Sequence, residues 1–272
     1  MFAKKYQEVE SLITEYHQDQ RVFVGVVPVV MGTRLTGMII GLSRESSEMI
    51  WKQVVDEAFR LDGMLNRFDP DSEVSRLNVN SDSGPQSVSA EMRSIMELCN
   101  GYKDRTSSIF DVTKGGGHVY VTRDGLDLCG ATLDFGGFAK GYFLRCAESR
   151  LREAGVTQAF VCFGDSSILG IGHHPYGDCW KVSVIDPYSR RPVSEVDLMD
   201  SSMSTSGNRP GYESHISDPR TGRKVEERKL AVITSPDPLD AEVLSTVAMI
   251  ATEEEMAAIL TQFDNAKLNY NR

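Results

Sequence analysis

The first clear pattern of apolar and polar positions is a pair of apolar runs rich in β-branched residues. They lie in residues 21–43, RVFVGVVPVVMGTRLTGMIIGLS, and Met31-Gly32-Thr33 separates them. Two such runs around a short glycine-containing turn predict paired strands. Residues 46–68 and 89–106 then repeat apolar side chains at the spacing of an amphipathic helix. The pattern therefore predicts two strands followed by two helices.

A glycine pair marks the middle of the chain. Residues 133–155 begin as a predicted strand, pass through Gly136-Gly137 and continue as a helix. The free N–H groups and the positive dipole end of a helix N-terminus suit a phosphate or pyrophosphate. Asp134 and Lys140 would flank that N-terminus. The alternative is a tight turn with a capping aspartate and an exposed lysine, which needs no ligand.

The second half of the chain is rich in predicted strands. They fall at 159–164, 166–172, 180–187, 198–208 and 229–235, and turn residues separate them. Neighbouring strands joined by short turns favour antiparallel pairing. Together with the helices, this pattern predicts an α+β protein that is a single compact domain with mainly antiparallel sheets and packed helices.

The last long helix is predicted from Asp237 as N-cap and Pro238 at the first helical position. Its apolar stripe consists of Leu239, Val243, Val247 and Ile250. Glu242 and Thr246 fall at the edge of this stripe, one turn apart, whereas Asp240 points away from both. Two adjacent oxygens are ligands that Mg²⁺ prefers. The alternative is that Glu242 pairs with a lysine or an arginine.

The N-terminal residues carry apolar side chains at helical spacing, namely Phe2, Tyr6, Val9, Ile13 and Tyr16. This spacing predicts an amphipathic helix over 1–20 that precedes the main domain at 21–272. The segment has neither the apolar core of a signal peptide nor a lipidation cysteine. We therefore expect a cytoplasmic protein, with a periplasmic or membrane-anchored one as the alternative if an export segment has been removed.

Composition narrows the classes of partner. The formal net charge is −10 and the isoelectric point is about 5.1, so a nucleic acid is not an expected partner. The five cysteines show no CxxC spacing, so neither a zinc site nor a disulfide framework is indicated. No apolar run reaches the roughly 18 residues of a transmembrane segment.

One histidine lies in a turn-rich stretch, SHISDPRTGR, at residues 214–223. His215 could act as a general base, because an imidazole titrates near neutral pH. A histidine beside a turn is equally suited to a purely structural hydrogen bond. The stretch alone leaves both interpretations open.

Several blocks, taken in order along the chain, resemble the ApbE-type FAD:protein FMN transferases. The blocks are MGT at 31–33, FDPDSEVSRLN at 68–78, FDVT at 110–113, LDFGGFAKGY at 133–142, STSGN at 204–208, SHISDPRTGR at 214–223 and AEVLSTVA at 241–248. The resemblance implies the T-fold-like architecture of that family. It also implies Mg²⁺-dependent transfer of the FMN half of FAD to a Ser/Thr hydroxyl of a partner flavoprotein, with release of AMP.

The resemblance also implies roles for individual residues. Those expected to contact FAD are Met31, Phe68, Asp134, Lys140 and Ile216. The backbone carbonyl of Gly137 and the side chains of Glu242 and Thr246 are expected to bind Mg²⁺. His215 would accept the proton of the attacking hydroxyl, or orient a water if the enzyme hydrolyses FAD to FMN and AMP.

Two departures from the family pattern leave room for another function. Glu242 stands where the family usually has an aspartate, and glutamate is longer by one methylene. After FDVT the chain has Gly115-Gly116-Gly117 instead of Gly-Pro-Leu and a longer loop. These features favour an alternative in which the protein binds FAD without turning it over.

Overall fold

The computed structural model describes residues 12–114, 116–211, 216–226 and 228–271. Strands β1 (Ile13–His17), β2 (Val22–Val30) and β3 (Thr33–Ile40) form an antiparallel meander. Met31 and Gly32 make the two-residue turn between β2 and β3, with φ of 48° and 72°. Positive φ at both positions is the geometry of a hairpin turn that matches the twist of its strands.

Three helices follow, and a serine precedes each of them as its N-cap. They are α1 (Arg44–Leu65), α2 (Glu73–Val79) and α3 (Ala90–Arg105). The hydroxyls of Ser43, Ser72 and Ser89 each accept a backbone N–H of the first turn. A serine in this position satisfies a donor that the helix itself leaves unpaired, which explains where these helices start.

The remaining elements of the described residues are nine strands and three helices. They are β4 (Tyr120–Thr122), β5 (Gly125–Asp127), α4 (Ala139–Glu153), β6 (Ala159–Phe163), β7 (Ser167–Ile171), β8 (Trp180–Ile185), β9 (Pro192–Leu198), β10 (Ser201–Gly207), β11 (Leu230–Ser235), α5 (Pro238–Ile250), α6 (Glu253–Leu260) and β12 (Lys267–Asn271). Asp237 caps α5 by accepting the N–H of Leu239, and Pro238 is its first residue. Both predictions for the start of this helix are confirmed.

The architecture is a large antiparallel sheet with helices on one face. Eight strands pair in the order β1-β2-β3-β6-β7-β10-β11-β12, and every pairing is antiparallel. Helices α1 and α5 pack on this sheet, and α4 packs against both helices. The hairpin β8–β9 covers part of the other face. The predicted α+β class with antiparallel sheets and packed helices is confirmed.

The sheet separates two hydrophobic cores, each with one tryptophan. Trp51 of α1 lies in the larger core, against the cross-strand pair Gly25 and Gly37, where any Cβ atom would come within 2.3 Å and 2.1 Å of the indole. Trp180 of β8 lies in the smaller core and donates its indole N–H to the carbonyl of Ile171 at 3.1 Å. The two glycines therefore provide the space in which α1 docks on the sheet.

Two predictions of secondary structure are wrong. The helix expected over 1–20 is a strand from Ile13 to His17, because the backbone of this segment pairs with β2 at the edge of the sheet; residues 1–11 lie outside the described residues. The strand expected at the start of 133–155 is only an isolated bridge between Thr113 and Leu133.

In the described part of the chain, no helix has the length and apolar character needed to cross a bilayer.

Candidate functional site

Two of the sequence blocks fix the backbone just before α4. Asn78, at the end of α2, donates to the carbonyl of Leu133 at 2.9 Å and accepts the N–H of Leu133 at 2.7 Å. The N–H of Asp134 donates to the carbonyl of Val112 at 2.7 Å. Since a side-chain amide and a neighbouring segment bind the same dipeptide, the position of Asp134 is set by residues distant in sequence.

Asp134 connects to Phe68 through an arginine. The Nε atom of Arg67 lies 2.9 Å from Oδ2 of Asp134, and its guanidinium stacks on the Phe68 ring at 4.1 Å from the ring centroid. Phe68 itself is 77% exposed. A ring this exposed is free to contact a ligand, and the stacked guanidinium limits its orientation. Arg67 was not among the predicted site residues, although it immediately precedes one.

The glycines of the central block bring α4 close to α5. A Cβ atom at Gly137 would lie 3.0 Å from Oγ1 of Thr246, and one at Gly141 would lie 2.5 Å from Cβ of Glu242. A side chain at Gly141 would push the two helices apart, and one at Gly137 would crowd the side chain of Thr246. The predicted grouping of Gly137 with Thr246 is therefore observed, and Gly141 is the neighbour that makes room for Glu242.

Glu242 is the most deeply buried acidic group of this region, with 3% of its surface exposed. Its Oε1 accepts a hydrogen bond from Nζ of Lys140. Its Oε2 accepts from the hydroxyls of Ser167 at 2.7 Å and Ser204 at 2.8 Å. Burial opposes ionisation, but the lysine and the two hydroxyls outweigh it and lower the pKa of Glu242. The residue is therefore an ionised carboxylate in the protein interior.

The sequence placed Glu242 at the edge of an apolar stripe, where a carboxylate is only partly buried, but strands β7 and β10 and helix α4 bury it more deeply. The alternative prediction, pairing with a lysine or an arginine, is confirmed by Lys140. The alternative interpretation of the Gly136-Gly137 segment expected Lys140 to be an exposed lysine without a role. The ion pair with Glu242 contradicts that expectation. The structure also assigns partners, Ser167 and Ser204, that the helix pattern could not show.

The donors expected for a divalent cation are of the chemical types that Mg²⁺ binds. Glu242 and Thr246 lie one turn apart on α5, and Gly137 contacts Thr246. Throughout the described residues, no group of three or more His, Cys, Asp or Glu side chains could hold a metal ion. Mg²⁺ commonly binds through one or two carboxylates together with waters and substrate phosphates. One carboxylate, one hydroxyl and one carbonyl are compatible with that mode.

Met31 lies at one end of the sheet, in the turn between β2 and β3. A Cβ atom at Gly164, in the turn between β6 and β7, would lie 2.9 Å from the side chain of Thr33, so the two turns are adjacent. Ser167 follows the second turn directly and pairs across the sheet with Ser204. The Met31 turn is thus at the same end of the sheet as the serines that bind Glu242.

The stretch SHISDPRTGR is only partly described. His215 lies outside the described residues, so its role as a base stays a prediction. Ile216 is 9% exposed and packs in the larger core, so a nucleotide could contact only a small part of its side chain. The following turn is fixed by Asp218, which accepts hydrogen bonds from Arg220 at 2.9 and 3.0 Å. Gly116 touches this turn, since a Cβ atom there would lie 2.8 Å from the carbonyl oxygen of Pro219.

Comparisons with known proteins agree with this arrangement. The model of the family described as "ApbE family" matches residues 31–120 and 117–268. The FAD:protein FMN transferase of Salmonella typhimurium is 22% identical over 270 residues, which cover 81% of this chain and 76% of that protein. That of Rhodobacter capsulatus is 31% identical over 138 residues, which cover 48% of this chain but only 26% of that protein.

Solved structures show the same fold. The flavin transferase ApbE from Vibrio cholerae superposes with a TM-score of 0.77 at 21% identity, covering 94% of this chain and 93% of that chain. The apo form of the flavinyl transferase ApbE from Pseudomonas stutzeri gives a TM-score of 0.75 at 22% identity, covering 92% and 88%. The chain belongs to the ApbE family.

Proposed function

We propose that the protein is an FAD:protein FMN transferase, and that residues 21–272 form its FAD-binding domain together with the edge strand β1. The main observation behind this is that Gly137, just before α4, lies beside Thr246 of α5, and that Lys140 of α4 pairs with Glu242 of α5. A cation and a helix N-terminus, which both favour a pyrophosphate, then lie beside a carboxylate that could hold the metal ion such a substrate needs. Relatives of the same family carry this activity in their names.

The proposed reaction is a displacement at phosphorus. The hydroxyl oxygen of a serine or threonine in a partner flavoprotein attacks the phosphorus of the FMN half of FAD. A new phosphoester bond forms, the bond from that phosphorus to the bridging oxygen breaks, and AMP leaves with the bridging oxygen. The proton of the hydroxyl passes to His215. General-base catalysis of this kind contributes about 10²- to 10⁴-fold to the rate.

The remaining groups bind and orient the substrate in this proposal. Phe68 and Met31 contact the flavin, and Asp134 and Ile216 contact other parts of FAD. Mg²⁺ dependence is part of the proposal: Glu242, Thr246 and the Gly137 carbonyl would hold the ion, which when bound neutralises charge on the pyrophosphate. Lys140 supplies a second positive charge beside the same carboxylate.

A second candidate is a protein that binds FAD without turnover. The observation that favours it is that Lys140, Ser167 and Ser204 already occupy both oxygens of Glu242. A carboxylate neutralised in this way has less tendency to bind a divalent cation. Hydrolysis of FAD to FMN and AMP is the third outcome that an assay must separate.

The deciding experiment incubates the purified protein with FAD, Mg²⁺ and a peptide carrying the acceptor sequence of a flavoprotein. AMP together with a flavinylated peptide supports the transferase. AMP with free FMN supports hydrolysis instead, and FAD binding without AMP supports the non-catalytic protein. Omitting Mg²⁺ and adding a chelator tests the metal dependence in the same assay.

Two variants assign the roles. We expect His215→Ala to lower AMP release about 10²- to 10⁴-fold with little change in FAD binding, because a base stabilises the transition state more than the bound substrate. Unchanged turnover would remove His215 from the reaction. Glu242→Gln should raise the Mg²⁺ concentration needed for half-maximal activity, whereas Glu242→Asp keeps the charge and supplies the residue usual in the family.

A further inference from the structure

Three serines lie at the interface between α5 and the sheet, where apolar side chains would be expected. Ser167, Ser204 and Ser245 are exposed by 1%, 2% and 0%. Burying a hydroxyl is costly unless it forms hydrogen bonds. Each of the three does so, and all of them bind Glu242 or one another. This cluster is formed by residues to which the proposed reaction gives no role.

Ser167 and Ser204 stand side by side although they are distant in sequence. Ser167 is the first residue of β7, and it is the direct antiparallel partner of Ser204 on β10. Both hydroxyls donate to the same atom, Oε2 of Glu242, at 2.7 and 2.8 Å. Since directly opposite residues in a sheet project to the same face, the two strands together form one binding point for a carboxylate oxygen.

A second layer of hydroxyls surrounds Ser204. The Oγ of Ser245 lies 3.1 Å from Oγ of Ser204 and 2.8 Å from Oγ of Ser206, and it donates to the backbone carbonyl of Glu242 at 2.9 Å. Ser245 thereby links the backbone of α5 to the same strand that binds the carboxylate. Ser204 therefore contacts the carboxylate of Glu242 directly and lies next to Ser245, which binds the backbone carbonyl of Glu242.

The two oxygens of Glu242 consequently have different environments. Oε2 is bound by the sheet, whereas Oε1 faces Lys140 of α4. A glutamate side chain has more freedom than an aspartate, and two donors on one oxygen remove most of it. Rotation of the carboxylate would break two hydrogen bonds to an ionised group, which are about twice as strong as those between neutral groups.

We propose that Ser167 and Ser204 are positioning residues for Glu242, which direct Oε1 toward Lys140 and the site of the divalent cation. This inference rests on the proposed role of Glu242 as a Mg²⁺ ligand. The serines do not touch FAD or the cation themselves. They set the orientation of the carboxylate that is proposed to bind the cation.

The test measures Mg²⁺ binding by the increase in unfolding temperature of the FAD-loaded protein during a Mg²⁺ titration. Ser204→Ala and Ser167→Ala each leave one hydroxyl on Oε2, so we expect these variants to fold. Loss of a group that orients a metal ligand typically lowers metal affinity about 10- to 100-fold. The double variant should therefore need about 10- to 100-fold more Mg²⁺ for half of the maximal shift, and each single variant an intermediate amount.

Ser202→Ala is the matched control. Ser202 lies two residues before Ser204 on the same face of β10 and is 1% exposed, yet within the described part of the chain its hydroxyl has no hydrogen-bond partner. Its removal should leave the Mg²⁺ titration unchanged. An equal shift in Ser202→Ala and Ser204→Ala would show a general packing effect and overturn the inference.

The outcomes separate this inference from the function on which it rests. If the wild type responds to Mg²⁺ and the serine double variant responds at the same concentration, the inference is wrong and the proposed function stands. If the wild type binds FAD but shows neither a Mg²⁺ shift nor Mg²⁺-dependent AMP release, the metal role of Glu242 is wrong and the inference falls with it.

Discussion

Helix α5 carries two acidic residues, Asp240 and Glu242, whose environments differ in kind. Glu242 is fully enclosed between α4 and the sheet and pairs with a lysine. Asp240 faces an open cavity of about 610 Å³ and accepts a hydrogen bond from the hydroxyl of Tyr102 at 2.6 Å. Burial and the nearby charge of Asp237 raise the pKa of Asp240, and the Tyr102 hydroxyl only partly offsets this.

The comparison shows that depth alone does not decide the charge of a carboxyl group. Glu242 is the more deeply buried of the two, yet its pKa is lowered and that of Asp240 is raised. The difference lies in the partners, because Lys140 donates directly to Glu242, whereas Arg105 and Arg145 act on Asp240 only through their charge and Arg145 is paired with Asp237. A buried carboxylate with a cation of its own therefore stays ionised at neutral pH, whereas one without such a partner resists ionisation.

The largest expected effect comes from removing the cation of the buried pair. Lys140→Met leaves Glu242 charged and enclosed, with only the two serines as donors. Breaking a buried ion pair on one side typically costs about 3 to 5 kcal/mol, so we expect a loss of that size in the free energy of unfolding, measured by urea denaturation without ligand. Lys181→Met is the control, since the pair of Lys181 with Asp197 is exposed and screened by solvent, so its loss should change the free energy of unfolding much less.

A loss below about 0.5 kcal/mol for Lys140→Met would mean that the serines alone satisfy the carboxylate. Glu242 would then resemble Asp240 in lacking a required cation, and the contrast between the two residues would disappear. Lys140→Arg, which keeps the charge, distinguishes loss of charge from loss of packing.

A smaller loss in the free energy of unfolding is expected when the hydrogen-bond donor of Asp240 is removed. The hydroxyl of Tyr102 donates to Asp240 and accepts from Arg145 at 3.2 Å, and the tyrosine is 3% exposed. Tyr102→Phe leaves both groups without this partner, which should cost about 1 to 3 kcal/mol in urea denaturation. Tyr142→Phe, which removes a more exposed hydroxyl 3.2 Å from Glu91, should cost less. Equal costs would show that the cavity already hydrates Asp240 fully.

The smallest effect is a dependence on pH, with opposite signs for the two residues. A lowered pKa means that Glu242 contributes stability above its ordinary value of 4.5, and that this contribution is lost as the pH falls through its folded-state value. A raised pKa means that Asp240 reduces stability as the pH rises above its ordinary value of 3.8.

Unfolding free energies of two variants relative to wild type, measured between pH 4 and pH 7, check these signs. Asp240→Asn should gain stability relative to wild type as the pH rises. The deficit of Glu242→Gln should instead grow as the pH rises toward 4.5 and level off at higher pH. Parallel curves for both variants would contradict the assignment of different charge states to the two residues.

The spacing of apolar residues along the sequence predicted part of the difference between Asp240 and Glu242. The spacing of apolar residues correctly separated Asp240 from Glu242 and placed Thr246 with Glu242 on one side of α5. It could not show that Lys140 is the partner, because the pairing depends on how closely α4 approaches α5 at Gly141. That approach is a property of tertiary packing and has no signal in either helix alone.

Other features were hidden for different physical reasons. The segment Ile13–His17 has apolar residues at a spacing that suits a helix, but an unpaired edge of the sheet binds it as a strand. Ser167 and Ser204 become neighbours only through the pairing of β7 with β10. Phe68 and Asp134 were predicted separately, and Arg67 joins them through contacts that a linear pattern does not record.

The placement of the two tryptophans has a spectroscopic consequence. Trp51 is enclosed on the helical side of the sheet and Trp180 on the side of the β8–β9 hairpin, and the chain contains no third indole. Each layer therefore carries its own fluorophore. Emission from single-tryptophan proteins would report separately on release of the helices and on release of the hairpin, and would show whether the two faces of the sheet unfold as one unit or in sequence.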